Sequence, residues 1–416
     1  MNRMVDNLTG LRQSYKKILI GFGLFRIFRN LTFHYAIMVA FYSSLELSVS
    51  QIGWLESAYW GSKLCSDIPA GYLADRYGHR RALYWGNLLI IASLALLIGS
   101  NTFQECIGAQ IIVAMGHSLT AVADSAGCRQ SLLNLRLATT YRSAEAIGIA
   151  SRNVALFVGV TSGAILLSFI GLRGLFALSI VSLCAAIASV HLFCPATHFP
   201  NRKVVANGAG EGINQTPFGK NLGTVSLAIT YACLFFIEFF SIPFTQVLLG
   251  EKGFSSNSIA LLFGLILLGS GISSAVMSRS SASFGESMAW ILSAVVVHGI
   301  LLVVLVSTHW SYFLFGITYI GFMIGKGAYI PIIRSEILRT TNPSRASAVL
   351  GVVSVLGGAI LFLLSPVIFD LMEKNGSIVG AIGILVFSLT GSAVMIVRWR
   401  LTASHRRENI VAQSMN

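Results

Sequence analysis

The residues with the most chemistry to offer are ionisable side chains set inside long apolar stretches: Arg26, Arg29, His34, Glu56, Lys63, Asp67, His117, Asp124, Arg152, Glu238, His298 and Lys326. A charge at mid-bilayer costs about 3 kcal/mol or more, so each such residue marks by default a path for a solute or a proton. Glu238 lies in Phe235-Phe236-Ile237-Glu238-Phe239-Phe240, where four aromatic neighbours make a poor solvent for a carboxylate and a good setting for a proton carrier. A lasting ion pair with Lys326 is the alternative for that acid. Asp124 falls at a depth where it can neutralise one or two of the arginines Arg26, Arg152 and the slightly deeper Arg29, or serve as a second proton site. Lys63 and Asp67 are four residues apart and can pair along one helix face. His298 reads as a core histidine.

These side chains need elements to hold them, and the composition says which kind. Of 416 residues, 55% are hydrophobic and 11% charged, which excludes an ordinary water-soluble globule. Apolar runs of about 20 residues recur along the chain, each long enough to cross a bilayer as a helix. Dividing the length by about 35 residues per span and connection gives about twelve passes. The expected spans are 18–43, 54–73, 82–99, 107–128, 145–167, 174–193, 224–248, 259–277, 288–307, 311–333, 346–369 and 377–398. The expected fold is an all-α polytopic membrane protein, with residues 1–195 and 223–416 as two six-helix bundles and 196–222 as a cytoplasmic linker. A net charge of +13 would point to nucleic acid in a soluble protein. Here most of the lysines and arginines fall on one side of the expected spans, so they read as orientation, with both termini cytoplasmic and no nucleic-acid partner. No small-residue cleavage site follows the basic N-terminus, so no removable signal peptide is expected. Six cysteines without a Cys-x-x-Cys pair give neither a disulfide frame nor a metal site.

The strongest local pattern joins spans two and three: Asp67-Ile68-Pro69-Ala70 followed by Gly71-Tyr72-Leu73-Ala74-Asp75-Arg76-Tyr77-Gly78-His79-Arg80-Arg81. Gly71 permits close helix approach, Gly78 a tight turn, and the arginines hold the loop in the cytosol. Asp75 suits the partially positive N-terminus of a helix, and Asn342-Pro343-Ser344-Arg345-Ala346 reads as the start of one.

This loop, the Ile-Pro-x-Gly-like segment before it and the Arg-Ala-Ser at 345–347 resemble the major facilitator superfamily, especially its bacterial efflux-type members. The resemblance implies a fold of twelve transmembrane helices in two six-helix bundles. It implies that helices one, four, seven and ten line a central cavity, so that Arg26, Arg29, His34, His117, Glu238 and Lys326 would meet the substrate. It also implies a latch formed by Asp67, Gly71, Asp75, Gly78, Arg80, Arg81 and Arg345. The chain departs from the pattern where His79 follows Gly78, where span four lacks an arginine upstream of Gly116, and where Gly159 to Gly163 lacks a proline.

No phosphate-cradling Gly-x-x-x-x-Gly-Lys-Ser/Thr or nucleophile elbow is present, so neither an ATP-driven pump nor an enzyme is indicated, and no cofactor is called for. The leading expectation is a secondary active transporter that exports a small amphipathic toxic compound or metabolite in exchange for protons, with Glu238 and Asp124 as proton sites. It would act as a monomer in a bacterial inner membrane. The alternatives are proton-linked transport of an anionic solute, for which the basic residues argue, and a membrane sensor that moves nothing.

Overall fold

A computed structural model describes residues 2–137, 140–194, 222–277, 284–307 and 346–414, and among these the secondary structure is helical throughout. The elements are α1 (Asn2–Asn30), α2 (Met38–Ser44), α3 (Val49–Tyr77), α4 (His79–Gly99), α5 (Phe103–Asn134), α6 (Tyr141–Phe193), α7 (Leu222–Glu251), α8 (Ser256–Met277), α9 (Phe284–Ser307), α10 (Ala346–Asn375) and α11 (Ile378–Ser414). One compact unit comprises residues 1–200 with 246–271, the other 201–245 with 272–416. The expected tenth span, 311–333, lies outside the described residues, as do Lys326 and Arg345.

Among the described residues, six helices are long and apolar enough to cross a membrane: His79–Gly99, Phe103–Asn134, Ile147–Phe193, Val225–Glu251, Val355–Asn375 and Ile378–Val397. The stretch Ile147–Phe193 is broken at Gly171, whose φ of 70° no ordinary L-residue adopts comfortably, and this separates the expected fifth and sixth spans. Helices α1 and α3 are as long, 29 residues each, but are diluted by Arg26 and Arg29 in one and Glu56, Lys63 and Asp67 in the other. Those are the residues on which a functional reading depends.

Helix starts follow local chemistry. Ser48 caps α3, its hydroxyl accepting from the Gln51 amide while Gln51 Oε1 accepts from the Ser48 amide. Thr102 and Glu105 repeat the arrangement at α5. Between α3 and α4 the chain reverses at Gly78, with φ 91° and ψ 142°, a conformation essentially reserved for glycine.

One expectation is corrected. The apolar run 18–43 reads as a single span, but helical structure stops at Asn30 and resumes at Met38, with a 3-10 turn at Tyr35–Ile37 between. The backbone there is held from outside. Phe33 N donates to Ser179 Oγ at 3.2 Å, and Val39 N donates to Gln246 Oε1 at 3.1 Å. Gly163 of α6 passes so near that a Cβ on it would sit 3.0 Å from the Phe33 carbonyl carbon. Irregular backbone within a membrane persists only where protein or a wet cavity supplies its partners, and here serine and glutamine side chains do so.

Within the first unit α1 packs along α6, and α3 and α4 pack on α5. Their core includes Phe22, Phe25, Leu83, Leu132, Val190 and Phe193, with the Phe193 ring 5.4 Å from Phe22 and 5.3 Å from Phe25. This packing fixes α1 against α5 and so sets the geometry of the polar groups between them.

Candidate functional site

On α5, His117, Thr120 and Asp124 are spaced three and four apart and share one helix face. On α1, Arg26 and Arg29 are likewise three apart. The two faces meet. Arg26 Nε lies 2.9 Å from Asp124 Oδ2, with only 8% and 6% of the side chains exposed. Arg26 Nη2 also donates to Ser125 Oγ at 2.9 Å, and the guanidinium stands 4.9 Å from the centre of the Phe22 ring. The second Asp124 oxygen accepts from the Ser125 amide at 2.5 Å. Of the arginines that depth offers to Asp124, the structure thus brings Arg26 to it, while Arg29 bonds to Thr120 and the Arg152 side chain is exposed.

One turn further along α1, Arg29 Nη2 donates to Thr120 Oγ1, whose hydroxyl donates to the backbone carbonyls of Gly116 and His117. Among the described residues, Arg29 Nε is buried without a partner. His117 pairs through Nδ1 with the hydroxyl of Tyr59 on α3 at 2.9 Å, the rings meeting edge on. At the break after α1, Ser179 Oγ donates to Leu175 O and accepts from Phe33 N. Its single proton is thereby used, so the 2.9 Å contact with His34 Nδ1 requires the histidine to donate from Nδ1. His34 Nε2 is left as an acceptor in the neutral ring.

Lys63 and Asp67 pair at 2.7 Å along α3, both half-buried. In the signature loop, Asp75 and Arg81 are exposed and Gly71 is half-buried. Arg80 Nη2 meets His191 Nδ1 on α6, and the Tyr84 hydroxyl meets His191 Nε2 at 2.6 Å. The basic end of the loop is therefore tied to the end of α6.

Glu238 belongs to the second unit. It is 7% exposed on α7, among rings that pack in pairs: Phe236 with Phe240 at 5.0 Å, Phe236 with Phe387 at 4.1 Å and Phe235 with Phe239 at 4.5 Å. His298 is also buried, at 2% exposure. A separate cavity of about 330 Å³ in the first unit is lined by residues of the helix-one break, α2, α3, α7 and α8, among them Ile37, Val39, Gln246 and Phe254.

The structure thus gathers Arg26, Arg29, His117 and Asp124 in one network and adds Thr120, Ser125, Tyr59 and Ser179, which were not singled out from sequence. The signal for Tyr59 was available, since it stands three residues after Glu56 and four before Lys63 on the same face of α3. Ser179 gave no such signal, because its role depends on a break in another helix.

Comparison with known proteins addresses what such a network serves. The profile of the Major Facilitator Superfamily matches residues 18–366. A search of curated proteins finds no match. Among solved structures, the nucleoside transporter NupG is similar at a TM-score of 0.70 and 11% identity, covering 92% of this chain and 99% of that one. Tetrameric PepTSo2 is similar at 0.71 and 13% identity, covering 94% and 99%. A structure concerned with substrate recognition in proton-dependent oligopeptide transporters is similar at 0.67 and 14% identity, covering 93% and 99%. At such identities the likeness is one of fold, and the profile match over most of the chain carries the assignment: the chain belongs to the Major Facilitator Superfamily, an all-α, multi-pass membrane fold, and is a secondary transporter, with no enzymatic role.

Proposed function

We propose that this transporter exports a small amphipathic compound in exchange for protons, by alternating access between two bundles, 1–195 and 223–416, joined by a cytoplasmic linker at 196–222. The observation that carries the reading is the Arg26–Asp124 pair, buried between apolar helices. A carboxylate there has two ways to be neutralised, a guanidinium or a proton. Exchanging one for the other frees Arg26 and alters the contact between α1 and α5. Glu238, buried among phenylalanines, is the second proton site. Outward direction is supported by the resemblance of the Gly71–Arg81 loop to efflux-type members, in which Gly71, Asp75, Gly78, Arg80 and Arg81, with Asp67 before the loop and Arg345 beyond it, would act as a latch. In this reading the protein works as a monomer in a bacterial inner membrane, and the one-sided distribution of its basic residues supports cytoplasmic termini.

The test uses the full chain in proteoliposomes carrying a pH gradient and a fluorescent pH reporter, with a panel of amphipathic compounds. An exchanged substrate dissipates the gradient through the native protein, and both Asp124→Asn and Glu238→Gln abolish that response. Substrate movement at the same rate with and without the gradient would remove the coupling. No movement of any compound would favour a sensor.

A further inference from the structure

We infer that Arg29 is the anchor for a singly charged carboxylate on the transported compound, held between α1, α3 and α5 just before the helix-one break. This rests on the transport reading above and specifies the chemistry of its substrate.

The inference begins with charge. Two arginines project from α1 toward α5, and one acid faces them. Arg26 takes that acid at 2.9 Å, and Asp124's other oxygen is occupied by the Ser125 amide. Among the described residues, Arg29 donates only to the hydroxyl of Thr120. Among the described residues that act on Arg29, Asp124 is the one carboxylate, and it is already engaged by Arg26. Glu56, the next acid on the facing side of α3, hydrogen-bonds with Trp60. Lys63 is matched by Asp67. Among the described residues, the facing surfaces of α1 and α5 thus set Arg26 and Arg29 against the single carboxylate of Asp124, an excess of one positive charge that a monoanion balances.

Hydrogen bonding points the same way. A guanidinium has five N–H donors in a planar fork suited to carboxylate oxygens. Among the described residues, Arg29 Nε is buried and without a partner, a costly arrangement unless something else completes it. Close by are Tyr59–His117 and the Nε2 acceptor of His34, which can receive a proton from a hydroxyl or amine on the same compound.

Three probes of equal size separate the possibilities: 3-phenylpropionate, 3-phenylpropanol and 3-phenylpropylamine, titrated against the detergent-solubilised full chain by tryptophan fluorescence. The native protein is expected to prefer the carboxylate over the alcohol and to bind the amine least. Arg29→Gln should weaken the carboxylate about 10- to 100-fold while leaving the alcohol within about twofold, and Arg29→Lys should recover part of the loss. A structural role alone lowers the melting temperature of Arg29→Gln without changing the ratio of carboxylate to alcohol affinity. That result would overturn the inference, as would a native protein indifferent to head-group charge. Because binding is read without a pH gradient, carboxylate selectivity can stand even where coupled flux fails, and coupled flux of cations alone would leave transport standing while this inference fell.

Discussion

Replacing Asp124 with Asn removes the charge from a partnership whose side chains are 8% and 6% exposed. Arg26 would keep its 2.9 Å bond to Ser125 and its position against the Phe22 ring, but its buried charge would lose the carboxylate that faces it at 2.9 Å. Breaking such a pair from one side typically costs about 3–5 kcal/mol, and the surviving contacts place this case near 3 kcal/mol. Removing both charges tells a different story. Arg26→Met with Asp124→Leu leaves an apolar contact of similar volume, expected within about 1 kcal/mol of the native protein. The native protein, Arg26→Met, Asp124→Leu and the variant carrying both form a double-mutant cycle, read by reversible unfolding in mixed micelles with increasing sodium dodecyl sulfate. The single costs should fail to add by about 2 kcal/mol or more, whereas additivity within about 0.5 kcal/mol would show that the two side chains do not interact as described. The charge-free double variant should fold yet fail to exchange protons, separating stability from coupling.

Gly78→Ala places a side chain at φ 91°, and is expected to cost about 1–3 kcal/mol and to slow transport, measured by unfolding and by flux in proteoliposomes. Ser179→Ala removes the acceptor used by both Phe33 N and His34 Nδ1, so it should destabilise by about 1–3 kcal/mol and raise amide exchange at residues 31–35, detectable by hydrogen–deuterium mass spectrometry. Asp67→Asn, by contrast, breaks a half-exposed pair along one helix and should shift stability by no more than about 1 kcal/mol, a value a chemical-unfolding curve can bound.

Periodicity and charge made several of these features legible in the sequence. The Lys63–Asp67 contact follows from a four-residue spacing, and the sharp reversal at Gly78 from a glycine set among basic residues. That Asp124 would meet an arginine followed from depth, but which arginine did not. Depth along a helix ignores rotation about its axis, and α1 turns Arg26 toward α5 while the Arg152 side chain on α6 is exposed. The break after Asn30 was hidden for a similar reason. Residues 31–37 contain neither proline nor glycine, and Leu31, Phe33, Ala36 and Ile37 carry the apolar character on through them. What interrupts the helix is supplied elsewhere in the chain, by Ser179 as an alternative acceptor and by Gly163, which leaves room for the displaced backbone. Thr120 and Ser125 were equally silent, since hydroxyl residues in membrane helices more often bond their own preceding turn.

A continuous helix behaves as a stiff rod, carrying a push at one end undiminished to the other. With its ladder of amide bonds interrupted between Asn30 and Met38, helix one is instead a jointed lever whose short arm, α2, answers to Gln246 while the long arm answers to Asp124 and Thr120. Each arm can swing through its own angle, so events at the two faces of the bilayer need not keep step.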